Sequence, residues 1–353
     1  MSALLRSHRE SPEFALLSSR ILIPGAEEEG PGSCSRGGRL SFSIMEEVFT
    51  LSGFNDTLGY RAVVFSLASL CYFAILFFNV AIIIVIVSDE CLHEPMYILL
   101  CVHCVNGLYG TAGFYPKFLA DLLSSSQVIS YHGCLVQAFV LYSFVCSDTS
   151  ILTALAYDRY LAICLPLQYH SIMTNRRVYS LVCLSWLTPF CIFSVNIVLT
   201  ARLRFCGTNI QRLFCLNWVI VKLACPGSNT VINNVYALAT LSIYVAHWLF
   251  VVWTYIYIVK TCVQSKEDRA KFMQTCVPHL ISLVTLFVIV VSDLMHMRFT
   301  SYDLPLSFQN FSSLAVVFIP PLMNPLLYGF KLTRIRKRIF VLLFLRKKLP
   351  VSS

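Results

Sequence analysis

The stretch that decides the fold runs from Thr153 to His170 and reads TALAYDRYLAICLPLQYH. A long apolar run ends here on the triplet Asp158-Arg159-Tyr160. A carboxylate and a guanidinium at the edge of a membrane helix are expensive, and residues kept at such a cost are kept for function. The composition says that lipid is the solvent. The chain has 353 residues, 57% hydrophobic and 13% charged, with a mean hydropathy of +0.71. A soluble domain is roughly half apolar and a quarter charged. One water-facing core cannot hide the apolar surface of this chain. The net charge of +9 does not indicate nucleic acid, because the basic residues are few and cluster at the ends of apolar runs.

Working outward from the triplet, seven apolar spans emerge near 60–88, 96–121, 133–164, 178–200, 232–262, 270–297 and 307–329. A bilayer core about 30 Å thick needs about 20 helical residues. Backbone polar groups cannot go unpaired in lipid, so each span is expected to be an α-helix. Prolines 116, 189, 278, 320, 321 and 325 then mark kinks, because neighbouring helices can satisfy freed carbonyls. The expected fold class is an all-α membrane protein: a seven-transmembrane helix bundle with a short C-terminal amphipathic helix.

Four regions follow. Residues 1–44 lack any apolar period and carry Gly-Ala-Glu-Glu-Glu-Gly-Pro-Gly; they are expected to be a disordered, dispensable extension, translated from an upstream start codon. Residues 45–59 form an extracellular N-terminal segment, residues 60–329 the bundle, and residues 330–353 a cytoplasmic amphipathic helix and basic tail. In the tail Leu332, Ile335, Ile339 and Leu342 recur at helical spacing among Lys and Arg.

Orientation follows from basic residues. The tail, the 165–177 loop (Arg176, Arg177) and the 263–271 loop (Lys266, Arg269, Lys271) fall on one side, which the positive-inside rule makes cytoplasmic. Arg202, Arg204, Arg212 and Lys222 in the opposite loop 201–231 run against the rule. The orientation puts the sequon Asn55-Asp56-Thr57 outside, where glycosylation of Asn55 is expected. A second sequon at Asn310 starts the last span and reads as an unused triplet. Most of the fifteen cysteines lie in apolar runs as small buried hydrophobes. Cys134, Cys206, Cys215 and Cys225 flank or lie in polar segments and are disulfide candidates.

Four separated motifs give these spans a likeness. Leu92-His93-Glu94-Pro95-Met96-Tyr97 follows the first span, with proline where a helix start loses nothing by its missing N–H. Asp158-Arg159-Tyr160 leads into Leu161-Ala162-Ile163-Cys164 and Pro166-Leu167-x-Tyr169. Thr275, Cys276 and His279 stand at the start of the sixth span. Asn324-Pro325-Leu326-Leu327-Tyr328 closes the seventh. In wording and order these resemble the olfactory branch of the rhodopsin-like G-protein-coupled receptors, with the fish-type olfactory group as the expected branch. The likeness covers Met45 to about Arg338.

The resemblance implies roles. Arg159, beside Asp158 and Tyr160, would latch the inactive state and meet the G protein when the sixth helix swings out. Tyr255 of the fifth span would meet Arg159 in the active state. Asn324, Pro325 and Tyr328 would let the seventh helix deform. His279 is read equally as a switch member and as a satisfied structural histidine. The resemblance also pairs Cys134 with Cys215 and Cys206 with Cys225; sequence alone cannot fix connectivity.

One position departs from the wider class. Where an acid is expected in the second span stands Gly107, preceded by Asn106, while Asp148 lies three turns before Arg159. Asp148 is expected to face Asn79 and Asn324. Two readings stand side by side: a switch that titrates or binds a cation, and a neutral hydrogen-bonded acid.

A ligand pocket is expected to open outward between spans three, five, six and seven. Its lining would be Leu141, Tyr142, Val145, Cys146, Ala239, Thr240, Ile243, Phe287, Val291 and Leu294, mainly apolar as small-molecule sites are. Asp293 and His296 near the outer end of span six are further candidates. The absence of an acid at Leu141 argues against an amine receptor. No metal, cofactor or catalytic set is expected: no His-Glu-x-x-His motif occurs, and no internal repeat marks a transporter.

The expectation is therefore an odorant receptor in the plasma membrane, multi-pass, with its N-terminus extracellular. Its partners would be a small odorant, a heterotrimeric G protein of the olfactory stimulatory type, and membrane lipid. A non-olfactory rhodopsin-like receptor for another small ligand is the alternative.

Overall fold

The computed structural model describes residues 48–53, 58–264, 272–299, 306–332 and 334–338. The expected extension 1–44, the sequon at Asn55 and the tail beyond Arg338 lie outside them. Seven helices are long and apolar enough to cross a membrane. In chain order, with the short elements between them, they are β1 (Val48–Leu51), α1 (Leu58–Ser88), α2 (Pro95–Leu123), β2 (Val128–Ser130), α3 (Tyr131–Cys164), α4 (Tyr169–Ile172), α5 (Asn175–Ala201), β3 (Asn209–Ile210), α6 (Asn217–Lys222), α7 (Val231–Gln264), α8 (Val277–Phe299) and α9 (Leu306–Lys331). The seven expected spans fall on α1, α2, α3, α5, α7, α8 and α9.

Local chemistry sets several boundaries. Pro95 opens α2, where a missing N–H is harmless. The Ser130 hydroxyl accepts from the Gly133 N–H at 3.2 Å and caps α3. Thr174 does the same for α5, accepting from the Arg177 N–H. Pro116, Pro189, Pro320, Pro321 and Pro325 lie inside helices. A five-residue π-turn, Phe272–Cys276, precedes α8 just before Pro278.

Two-thirds of the most apolar part of α3 is buried, against 17% for α7. α3 therefore runs through the centre, packed on α2, α5 and α7, while α1 lies on α2 and α9, and α8 lies on α9. Exposed large apolar residues such as Phe73, Ile84, Leu249 and Val252 cover the outside, as they must where lipid replaces water. Two glycines let α2 approach α3. A Cβ on Gly110 would stand 2.3 Å from Cγ of Phe144, and one on Gly113 would stand 2.3 Å from Cγ1 of Val140.

The bundle end that carries the disulfides holds a small three-stranded sheet in the order β2-β1-β3. β1 pairs antiparallel with β2, Phe49 opposite Ile129, and parallel with β3, Leu51 opposite Ile210. Phe49, Leu51, Ile129 and Ile210 pack with Cys134 and Cys215 in one apolar cluster. Sequence reading missed this sheet, because strands this short show no alternation long enough to recognise.

Candidate functional site

The site is a column threaded on α3. One stripe of that helix, at helical spacing, presents Leu141, Val145, Asp148, Leu152, Leu155 and Arg159. It thus runs from the disulfide-bearing end to the Asp-Arg-Tyr end.

At the Asp-Arg-Tyr end, Asp158 is wholly buried. It accepts from Arg159 Nε at 2.9 Å and again from Arg159 Nη2. Its other oxygen accepts from the Tyr169 hydroxyl at 2.8 Å. Tyr169 belongs to α4 and had been noticed only as a motif match; it is the third member of this group. Burial, then the charge of Asp158, pushes the Tyr169 phenol above its ordinary range. Removing one partner of such a buried pair is costly, unlike the exposed capping pair that the sequence also allowed. Tyr160 points elsewhere, its ring 5.3 Å from Trp253 and 6.3 Å from Tyr257 on α7. Tyr255 is buried, and its hydroxyl lies 3.4 Å from the Cys276 carbonyl in the π-turn. Arg334, beyond α9, pairs with Glu94 at 2.7 Å and Arg338 pairs with Asp89; Glu94 raises the pKa of Arg334 through that hydrogen bond and its charge. Leu332 and Ile335 are buried beside them.

In the middle lies a polar network. His103 of α2 sets Nε2 2.8 Å from Asp148 Oδ1 and 3.1 Å from the Asn324 amide nitrogen. Its Nδ1 is 3.5 Å from the Tyr328 hydroxyl. Tyr328 lies 3.3 Å from His279 Nδ1 and 3.4 Å from Ser282. Asn106 donates to Asp148 and to the Phe144 carbonyl, both at 3.1 Å. The expectation that Asp148 faces Asn79 and Asn324 is corrected. Its direct partners are His103 and Asn106, with Asn324 one side chain further along. Asn79 instead donates to the Pro321 carbonyl at 2.9 Å. Gly107 faces Asn79 and Pro321 rather than Asp148: a missing side chain there makes room for the proline-bent α9. Pro325 lies inside the same helix, where a proline removes a backbone hydrogen bond and favours a kink. His103 was missed; an intramembrane histidine one turn before Asn106 was the available signal. Asp148 Oδ2, Asn106 Oδ1 and Asn324 Oδ1 are buried without a protein partner among the described residues.

Towards the disulfide-bearing end, the helices enclose a cavity of about 420 Å³. Leu141, Tyr142, Val145, Cys146, Thr240, Phe287, Val291 and Leu294 line it. Ala239 and Ile243 do not; both are exposed on the outside of α7. The physical reason is rotation: α7 turns Ala237, Thr240, Leu241 and Tyr244 to the cavity at helical spacing, so that Ala239 and Ile243, one place before Thr240 and Tyr244, face outward. Asp293 also lines the cavity, 3.3 Å from Arg212 and accepting from Ser313 at 2.9 Å. The Arg212 that contradicted the positive-inside pattern is thus a buried partner of Asp293 rather than a surface charge. The side chain of His296 lies outside the described residues. Also missed were Asn196, Asn217, Asn233 and Asn234, which line the cavity. Asn217 donates to Asn196, and Asn233 donates to Thr200 at 3.2 Å.

Two disulfides close this end. Cys134 is bonded to Cys215 with Cα atoms 5.3 Å apart, and Cys206 to Cys225 at 4.8 Å. The Cys215 N–H donates to Gln137 at 2.9 Å, holding the loop over the cavity. Among the described residues no group of three or more His, Cys, Asp or Glu is placed to hold a metal.

Comparison with known proteins gives one family. The family model described as "Olfactory receptor" matches residues 68–347. Olfactory receptor 52K1 of Homo sapiens is 32% identical over 278 residues, 77% of this chain and 86% of the relative. Olfactory receptor 1D2 of Pan troglodytes is 31% identical over 287 residues, 80% of this chain and 90% of the relative. Olfactory receptor 6N1 of Homo sapiens is 32% identical over 302 residues, covering 82% and 93%.

Proposed function

The chain belongs to the olfactory receptor family, and on that premise we propose that the cavity beside α3 takes the odorant and that the polar column below it carries the signal. The protein is an odorant receptor, a multi-pass membrane protein that couples to a G protein and is not an enzyme. The proposal concerns how it does so. Odorant binding shifts an existing equilibrium between inactive and active arrangements.

The observation that carries this reading is continuity along one helix. Phe144 and Thr149 line the cavity, while Asp148 between them holds His103, which touches Asn324 and Tyr328. A ligand pressing on α3 therefore acts on the histidine network and on the bent part of α9 together. Arg159 is the proposed latch and G-protein contact. Asp158 and Tyr169 hold it, and Tyr255 receives it once α8 moves. Asp148 is the proposed second switch, by titration or by cation binding.

Further parts of the proposal are finer. The G protein is of the olfactory stimulatory type. The receptor sits in the plasma membrane with residues 45–59 extracellular and Asn55 glycosylated; residues 1–44 are dispensable, and residues 330–353 form a basic amphipathic helix against lipid. The exposed apolar faces of the bundle support lipid contact. The fish-type group remains the proposed branch.

The test is cAMP in cells that display the receptor and receive odorant mixtures. A rise that disappears when the stimulatory G protein is deleted supports the reading. A receptor at the surface that stays silent to every mixture, with no nucleotide exchange on that G protein in membranes, refutes it.

A further inference from the structure

The cavity is apolar over most of its wall, yet its outer end holds four asparagines. Asn196 and Thr200 lie one turn apart on α5, Asn217 opens α6, and Asn233 and Asn234 follow each other on α7. Within this group Asn217 donates to Asn196, and Asn233 to Thr200. Asn217 Oδ1 and Asn234 Oδ1 are buried without a protein partner among the described residues. Asn217 is only 8% exposed, and both residues line the cavity. Buried amide oxygens are costly to leave unpaired. The cavity is therefore bordered by two residues whose amide oxygens lack a protein hydrogen-bond donor.

The charge of the site narrows the class. Among the described residues Asp293 is the only acid lining the cavity, and Arg212 and Ser313 hold it. A cationic amine would meet an acid that already has its counter-ion. An anion would meet amide oxygens. Either would lose its hydration without a matched partner. Aldehydes, ketones, esters and ethers carry no O–H or N–H to donate to these two oxygens.

We infer that this receptor selects uncharged alcohols, with the hydroxyl donated to Asn217 and Asn234 and the hydrocarbon body lying on the apolar wall of α3, α7 and α8. The inference rests on the odorant-pocket reading above. A site built to bind a hydroxyl rejects the analogue lacking it more sharply than an apolar wall rejects a lost methylene, because its own polar groups are left unpaired.

The test is the cAMP response of displayed receptor to hexanol, octanol and decanol, each beside its methyl ether, aldehyde and carboxylic acid. At least one alcohol is expected to act at a concentration about tenfold or more below its methyl ether, a ratio equivalent to one well-made hydrogen bond. Asn234→Ala, and separately Asn217→Ala, are expected to erase that preference while responses to ethers persist. A purely structural loss would lower both together. An ether or aldehyde acting as well as its alcohol overturns the inference. So does silence to the whole panel. In that case a response to a broad odorant mixture in the same cells leaves the receptor reading standing, whereas silence to the mixture as well overturns both.

Discussion

Replacing His103 by Leu tests the centre of the network. In the structure His103 is 2% exposed and lies 2.8 Å from Asp148. Its removal leaves the Asp148 carboxyl with the Asn106 amide alone, at 3.1 Å, and takes away the ring against which Asn324 and Tyr328 rest. Stranding one member of a buried charged pair costs about 3–5 kcal/mol. If the pair is a neutral hydrogen bond, the figure is about 1–3 kcal/mol, and the sign is the same. Asp148→Leu strands the histidine in turn. The double variant removes both polar groups, and apolar replacement of a whole buried pair is often neutral or stabilising. The cycle is therefore expected to be non-additive by about 2 kcal/mol or more. The assay is thermal inactivation of the purified receptor in detergent for all four forms, with surface display in cells as a second measure. Additive losses, or a His103→Leu receptor as stable as the parent, would refute the claim that this pair organises the core.

Four further outcomes are expected. Gly110→Ala places a Cβ 2.3 Å from Phe144; overpacking costs about 1–3 kcal/mol, surface display falls, and Phe144→Leu in the same chain restores part of it. Cys134→Ser opens a disulfide spanning 81 residues, worth about 4 kcal/mol on loop entropy; non-reducing peptide mapping should find Cys215 free and display strongly reduced. Arg212→Met removes the guanidinium that lies 3.3 Å from the buried Asp293, lowering thermal stability by about 3 kcal/mol; Arg212→Met with Asp293→Leu should recover most of it. Arg159→Gln takes the guanidinium from the buried Asp158, so thermal stability should fall by about 3 kcal/mol and display with it, while odorant-driven cAMP per displayed receptor is abolished; a full response per displayed receptor would remove Arg159 from the coupling role.

Element existence was readable because a membrane span announces itself by length and composition alone. Every expected span lies on a helix, and α3 runs from Tyr131 to Cys164 against an expected 133–164. Motif wording singles out Asp158, Arg159, His279, Asn324 and Tyr328. Rotation was harder. In lipid the outward face of a helix is as apolar as the inward one, so polarity marks no side. Ala239 and Ile243 were chosen by depth along α7, and depth was right; azimuth was wrong. Polar residues within spans were the exception. They point inward because lipid will not take them, and a reading that followed His103, Asn196 and Asn233 for that reason would have found the network and the amide cluster.

Sequence by itself determined that lipid is the solvent, how many helices cross it, where they begin and end, and which signature residues lie at the Asp-Arg-Tyr end. These are properties of one chain segment at a time. Tertiary structure decided the pairings: His103 with Asp148, Asn79 with Pro321, Arg212 with Asp293, Tyr169 with Asp158, and the three short strands with one another. All but Tyr169 with Asp158, 11 residues apart, join groups far apart in the chain, whose meeting depends on how neighbouring helices are rotated and how deep each one sits. Glycines such as Gly110 set those close approaches, and no local pattern of hydrophobic and polar residues records them.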